Sequence, residues 1–293
     1  MSKKSIGQKI LHFPLTKIII GISVVISVFS FSKSFLSGVF QTDLLAKDVI
    51  HLIITIISSI LSVVAYIYLY KFYERREITE FSTHGIGKNL ALGILLGVLA
   101  QSLTILVIYV MGGYSVVSIN PFLYIIPPLA MAFSSAIFEE ILFRGIIFRI
   151  TEEKLGSYIA LVISALIFGG LHLANPNSSL SAGIGLAIQA GLLLGAAYIY
   201  ARNLWFPIAI HFAWNFTQTA IFGASVSGNA ISKTLITSKI SGADWFTGGP
   251  FGPEGSIQAT FFGLLAAIIL LILSHKKGHI IKPYWKTIAA NKV

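Results

Sequence analysis

The chain has 293 residues, 55% of them hydrophobic and 11% charged, with 21 Lys and Arg against 11 Asp and Glu. A soluble domain carries about 25% charged residues, so this composition excludes an ordinary soluble protein and points to one embedded in a lipid bilayer. No cysteine is present, which excludes disulfides, thiolate catalysis and cysteine-bound metal, and the net charge of +10 lies between apolar stretches, where membrane topology accounts for it without nucleic acid as a partner.

A hydrocarbon core of about 30 Å needs about 20 apolar residues per helix. Eight such segments are predicted, an all-α transmembrane bundle: 15–38, 49–71, 89–111, 121–143, 157–175, 183–202, 204–223 and 257–274. The first follows Lys3, Lys4, Lys9 and Lys17. Its apolar run is too long for a signal peptide, and its exit, Phe29-Ser-Phe-Ser-Lys-Ser, is a poor cleavage site, so it reads as a retained helix. Segment 224–256 is rich in Gly, Ser and Thr and contains Gly248-Gly-Pro-Phe-Gly-Pro-Glu-Gly255, the turn chemistry of a non-helical surface segment.

Eight crossings put both termini on one side. Of the 21 basic residues, only Lys33, Lys47, Lys233 and Lys239 then fall outside. The other 17, among them Lys292 at the C-terminal end and Arg144, fall inside, so both ends are expected to be cytoplasmic.

Nine of the eleven acidic residues, Asp43 and Glu254 among them, fall in predicted loops or helix ends. Glu139 and Glu140 alone lie in apolar surroundings, in Ala132-Phe-Ser-Ser-Ala-Ile-Phe-Glu139-Glu140-Ile-Leu-Phe-Arg144. A charge at bilayer depth costs roughly 3 kcal/mol and marks a candidate functional site. Positions four apart share a helix face, and neighbours diverge by about 100°. Glu140 is therefore expected to pair with Arg144, leaving Glu139 free to face other helices.

Two histidines are embedded as well. His172 ends Phe168-Gly-Gly-Leu-His172, with Phe168 on its face and glycines that permit close helix approach. His211 opens His211-Phe-Ala-Trp-Asn215, where Asn215 shares its face and can hydrogen-bond the imidazole or a substrate carbonyl. Counting along the predicted helices does not bring Glu139, His172 and His211 to one depth. It does so only if helices tilt, the fourth runs on past Arg144, or the seventh starts deeper.

A buried carboxylate beside imidazoles can act as a general base on water. Imidazole and amide donors can hold the oxyanion of a tetrahedral intermediate. Together they suggest hydrolysis of an acyl bond by activated water, without a serine or cysteine nucleophile. Zinc is compatible with His172, His211 and Glu139 as ligands. The histidines lack the i, i+4 spacing of an H-E-x-x-H helix, and metal-free chemistry with no cofactor is favoured.

Glu139-Glu140-Ile-Leu-Phe-Arg144 matches E-E-x-x-x-R, Phe168-Gly-Gly-Leu-His172 matches F-x-x-x-H, and His211-Phe-Ala-Trp-Asn215 matches H-x-x-x-N/D. In this order on successive apolar segments they resemble the CPBP (Abi) intramembrane proteases, relatives of the type II CAAX prenyl endopeptidases. The resemblance covers roughly 120–225, and the loop near 248–255 is similar to that of bacterial members. It implies a glutamate-dependent endopeptidase acting on membrane-associated peptides or proteins in a multi-pass membrane setting, the bacterial plasma membrane. Glu139 would activate water with help from His172, His211 and Asn215 would form the oxyanion site, and Glu140, Arg144 and Phe168 would support them. Both metal-free and metal-dependent chemistry stay open in such a family. Bacterial members imply peptide processing or bacteriocin immunity, and prenylated substrates are not implied.

On this reading 1–118 holds three N-terminal helices with their cytoplasmic loop. The catalytic core is 119–225, and 226–293 is the outer loop, last helix and basic tail. The competing reading is non-enzymatic: a membrane immunity factor acting by binding, or a proton-coupled transporter. Intramembrane Glu and His also serve proton relays, but no internal duplication of the kind common in transporters is visible. These motifs encode no oligomeric state.

Overall fold

The computed structural model describes residues 5–40, 47–231 and 233–286. Lys3, Lys4, Asp43 and Lys292 lie outside the described residues. Among the described residues, six helices are long and apolar enough to cross a membrane: α1 (Pro14–Val39), α2 (Lys47–Tyr73), α3 (Ile86–Val110), α4 (Phe122–Leu155), α6 (Leu180–Ala201) and α8 (Ile257–Lys276). Two shorter ones complete the predicted eight: α5 (Ser157–His172) and α7 (Trp205–Phe216, continued by a wider turn Thr217–Ile221). The chain is therefore a helical membrane bundle, as its composition predicts.

The most buried of the six long helices is α6, which packs against α5, α7 and α8. Outward faces of α1, α2 and α8 carry exposed Ile, Leu and Phe, including Phe31, Ile53 and Ile268, the surface a hydrocarbon phase requires. Helix α7 is pressed against α3. A Cβ at Gly97 would lie 2.4 Å from the Ile210 carbonyl oxygen, so only glycine allows this approach. That contact fixes the rotation of the helix that carries His211.

Among the described residues three stretches are π-helical: Ile141–Phe148 in α4, Ala187–Gly191 in α6 and Thr217–Ile221 after α7. Such wide turns are rare and recur at functional sites. Here two of them frame the same guanidinium, as described below.

One end of the bundle is stitched by ion pairs. Glu74 accepts a hydrogen bond from Arg76 at 2.7 Å and forms ion pairs with Lys17 of α1 and Arg149 of α4, each at 2.9 Å. Nearby, Arg202 reaches Glu152 at 2.7 Å, and the tail returns to this end, where the Ile281 N–H donates to Ser157 at 2.9 Å. Both described ends of the chain thus lie at one end of the bundle, as an even number of crossings demands.

At the other end, β1 (Tyr114–Ile119) pairs antiparallel with β2 (Ile236–Ile240), with a register shift between Val116 and Ser118. Segment 224–256 therefore departs from the surface loop expected of it. It supplies β2 and a helical turn, and it buries Thr247, Phe251, Pro253 and Glu254. Its glycines and prolines make tight turns that fold it inward over the bundle.

Two further expectations are corrected. The fourth helix does not stop at 143 but continues to Leu155, because the π-helical stretch keeps Ile141–Phe148 helical and buried. Arg144 is accordingly fully buried mid-helix rather than an inner-loop charge. The fifth helix ends at His172, three residues earlier than predicted.

Burial alone would raise the Glu74 carboxyl, but Arg149, Lys17 and Arg76 hold it below its ordinary value. Its folded value lies below its unfolded one, so its stabilisation is present at neutral pH and lost as pH falls through the folded value. Glu74→Gln should lower the unfolding temperature of detergent-solubilised protein at pH 7, each lost charged hydrogen bond being worth about 1.5–3 kcal/mol. The variant should also lose less stability than wild type on acidification. Thermal unfolding across pH checks this, and parallel curves would contradict it.

Candidate active site

The two glutamates diverge as helical geometry requires. Glu140 and Arg144 are both fully buried and form an ion pair of 2.8 Å. The same carboxylate oxygen also accepts from His211 Nδ1 at 3.0 Å. The second Arg144 nitrogen donates to the carbonyls of Ala190 and Gly191 at 3.2 Å each, at the wide turn of α6. Its guanidinium plane lies 4.8 Å from the centre of the Phe168 ring. One cation therefore joins α4, α5 and α6, and through Glu140 it reaches α7.

Glu139 stays out of this network. Its carboxylate lies 3.9 Å from His172 Nε2, and its side chain is 24% exposed. That separation is too long for a direct hydrogen bond and suits one bridging water. His172 Nδ1 is 2.7 Å from the Phe168 carbonyl. A carbonyl only accepts, so Nδ1 carries the hydrogen, and in the neutral ring Nε2 presents a lone pair towards Glu139. Phe168 supports His172 twice, by this bond and by ring contact at 4.5 Å.

The common depth that predicted helix ends did not give is explained by the longer α4. Glu139 sits 16 residues before Leu155, about 24 Å along the helix, and His172 sits 15 residues after Ser157, about 22 Å. His211 lies at the same level, its Nδ1 3.0 Å from Glu140, and the start of its helix is tied to the buried Glu80, whose carbonyl accepts the Leu204 N–H at 2.8 Å.

A small cavity of about 40 Å³ is lined by Glu139, His172, His211, Asn215, Ser227 and Glu254, among others. A water needs roughly 10–15 Å³ by this measure, so the space suits a few waters and no more. Glu139, His172, Asn215 and Ser227 also line an open groove of about 740 Å³ with apolar walls from Met131, Phe138, Leu142 and Leu171. The geometry is thus a wet pocket at the floor of a greasy groove.

The structure brings all the predicted residues together but rearranges two. The His211 imidazole bonds Glu140 rather than Asn215, and the Asn215 amide donates to Ser135 at 3.1 Å. Glu140 is not an exclusive partner of Arg144. Among the described residues no three His, Asp or Glu side chains are grouped to hold a metal ion.

Sequence reasoning missed Glu254. It is 2% exposed, its Oε1 accepts from the Ser227 hydroxyl at 2.9 Å and from the Ser227 backbone N–H, and burial pushes its carboxyl above the ordinary carboxylate range. Its only signal in the sequence is an acid set within the Gly-Pro turns of a chain with few acids. Gln189, buried with its amide oxygen unpartnered among the described residues, was missed too.

Residues 121–217 match the family profile described as type II CAAX prenyl endopeptidase Rce1-like. This bears out the resemblance read from the three motifs, over the segment that carries them. It supports a protease, and together with the six long apolar helices it supports a multi-pass membrane protein. No curated protein and no solved structure matches the chain.

The unequal placement of the two acids gives an ordered expectation. Removing one partner of a buried ion pair costs about 3–5 kcal/mol. Glu140→Gln and Arg144→Ala should therefore reduce folded yield strongly, whereas Glu139→Gln should leave it near wild type. Arg144→Lys should resemble Arg144→Ala, since an ammonium cannot span Glu140, two carbonyls and the Phe168 ring together. Yield by size-exclusion chromatography checks the ranking, and a Glu139→Gln variant less stable than Glu140→Gln would reverse it.

Proposed function

We propose that this protein is an intramembrane endopeptidase that hydrolyses peptide bonds of membrane-associated peptides or proteins with water activated by Glu139. The observation that carries this reading is the facing pair of Glu139 and His172 Nε2 at 3.9 Å, at the meeting of the wet cavity and the apolar groove. An apolar peptide lies in the groove, its scissile carbonyl over the pocket. Water between Glu139 and His172 gives a proton to the carboxylate as its oxygen adds to the carbonyl carbon.

Developing negative charge on the carbonyl oxygen is met from the far wall. Asn215 keeps one amide hydrogen beyond its bond to Ser135. His211, with its Nδ1 hydrogen on Glu140, presents Nε2 as a donor when it is an imidazolium. Glu140, Arg144 and Phe168 hold these groups in place and make no contact with substrate. The reading requires no metal, and its setting is processing of membrane peptides, including bacteriocin immunity, in a bacterial plasma membrane.

The test is cleavage of a quenched fluorescent apolar peptide by purified protein in proteoliposomes. Glu139→Gln should lower turnover at least about 10²-fold while folded yield and melting temperature stay near wild type, and chelator should leave wild-type turnover unchanged. Cleavage by Glu139→Gln at the wild-type rate would overturn the assignment. The membrane and secreted peptidomes of wild-type and Glu139→Gln cells should then differ in the natural substrates.

A further inference from the structure

Glu254 lies outside the segment that matches the family profile, which ends at 217, yet its side chain enters the same cavity as Glu139. Its position is built rather than incidental. The turn Pro253–Gly255 follows Gly252, whose φ is +118° and where a Cβ would lie 2.2 Å from the Ser225 carbonyl oxygen. Gln218 of the α7 extension receives the Trp214 indole N–H at 3.0 Å and donates to that same Ser225 carbonyl at 2.6 Å. Ser227 then fixes one oxygen of Glu254 with two donors. The helix carrying His211 and Asn215 thus positions the turn carrying Glu254.

The second oxygen of Glu254 has no hydrogen-bond partner among the described residues, although the residue is 2% exposed. In a cavity with room for only a few waters, Glu254 and Glu139 line the same space. Two carboxyls in one small, poorly solvated space cannot both ionise cheaply, and one of them keeps its proton. Glu139 also faces the open groove and its side chain is 24% exposed, so it is the better solvated of the two. Glu254 is only 2% exposed, and burial favours its neutral form.

We propose that Glu254 is a second catalytic carboxyl of this site, the general acid that protonates the leaving amine. The proposal rests on the endopeptidase reading above. Glu139 takes one proton from water as the C–O bond forms. The Glu254 carboxyl gives its proton to the amide nitrogen as the C–N bond breaks, so acid and amine leave as separate products. The proton held by Glu139 then passes through cavity water to Glu254, and both carboxyls regain their starting states.

An amine must be protonated to leave, whereas a phenolate need not be. Turnover of the quenched apolar peptide is therefore compared with turnover of an aryl ester of its acyl half, for wild type, Glu254→Gln and Glu139→Gln in proteoliposomes. In the Glu254→Gln variant the new side-chain amide oxygen can still accept from Ser227, so the turn is retained. Glu254→Gln should lose at least about 10²-fold on the peptide and stay within a few-fold of wild type on the ester, whereas Glu139→Gln should lose both. Equal losses on both substrates, or no loss on the peptide, would overturn the acid role. If wild type cleaves neither substrate, the endopeptidase reading itself fails, which is a distinct outcome. Glu254→Asp, still an acid, should recover part of the peptide activity, and higher peptide activity in Glu254→Gln than in Glu254→Asp would also contradict the proposal.

Discussion

A single buried guanidinium organises this molecule. Arg144 is fully removed from solvent, an arrangement that costs several kcal/mol unless every face of the cation is satisfied. Most of that cost is offset from four helices at once, by Glu140 of α4, the Phe168 ring of α5, the carbonyls of Ala190 and Gly191 in α6, and His211 of α7 through Glu140, while Arg144 Nε keeps no hydrogen-bond partner among the described residues. Each partner has few alternatives in an apolar phase. The bundle therefore has one low-energy way to bring these helices together, and that arrangement sets the positions of the reactive groups.

The division between neighbouring glutamates follows. About 100° of helical rotation is enough to give one acid to the structural network and leave the other to a wet pocket. Both imidazoles are then held at Nδ1, His172 by a backbone carbonyl and His211 by a carboxylate, which fixes ring orientation. Electrostatic preorganisation of this kind is effective because the surrounding medium is poor in water. On the proposed endopeptidase reading, the lipid phase that makes these charges costly would also strengthen their action on a bound peptide.

Much of this was legible in the chain. The eight apolar segments, the i, i+4 pairing of Glu140 with Arg144 and the sharing of a face by Phe168 and His172 all follow from hydropathy and helical spacing. What was not legible arose from non-local or irregular backbone. The π-helical stretch that carries α4 on to Leu155 is set by packing, and residue spacing does not reveal it. His211 choosing Glu140 over Asn215 depends on the angle at which α7 meets α4. Glu254 was hidden because turn-forming residues read as surface, whereas Gly252 and the Gln218 contact with Ser225 fold that segment inward.

The most direct test of the central claim, that Arg144 locks Glu140 and leaves Glu139 to act on water, is the ordered solvent in an electron-density map of the wild-type protein in lipid. The account predicts a water within hydrogen-bond distance of both Glu139 and His172 Nε2, and none on the Glu140 oxygen shared by Arg144 and His211. A hydrated Glu140 with Glu139 turned against Arg144, or towards lipid, would contradict it.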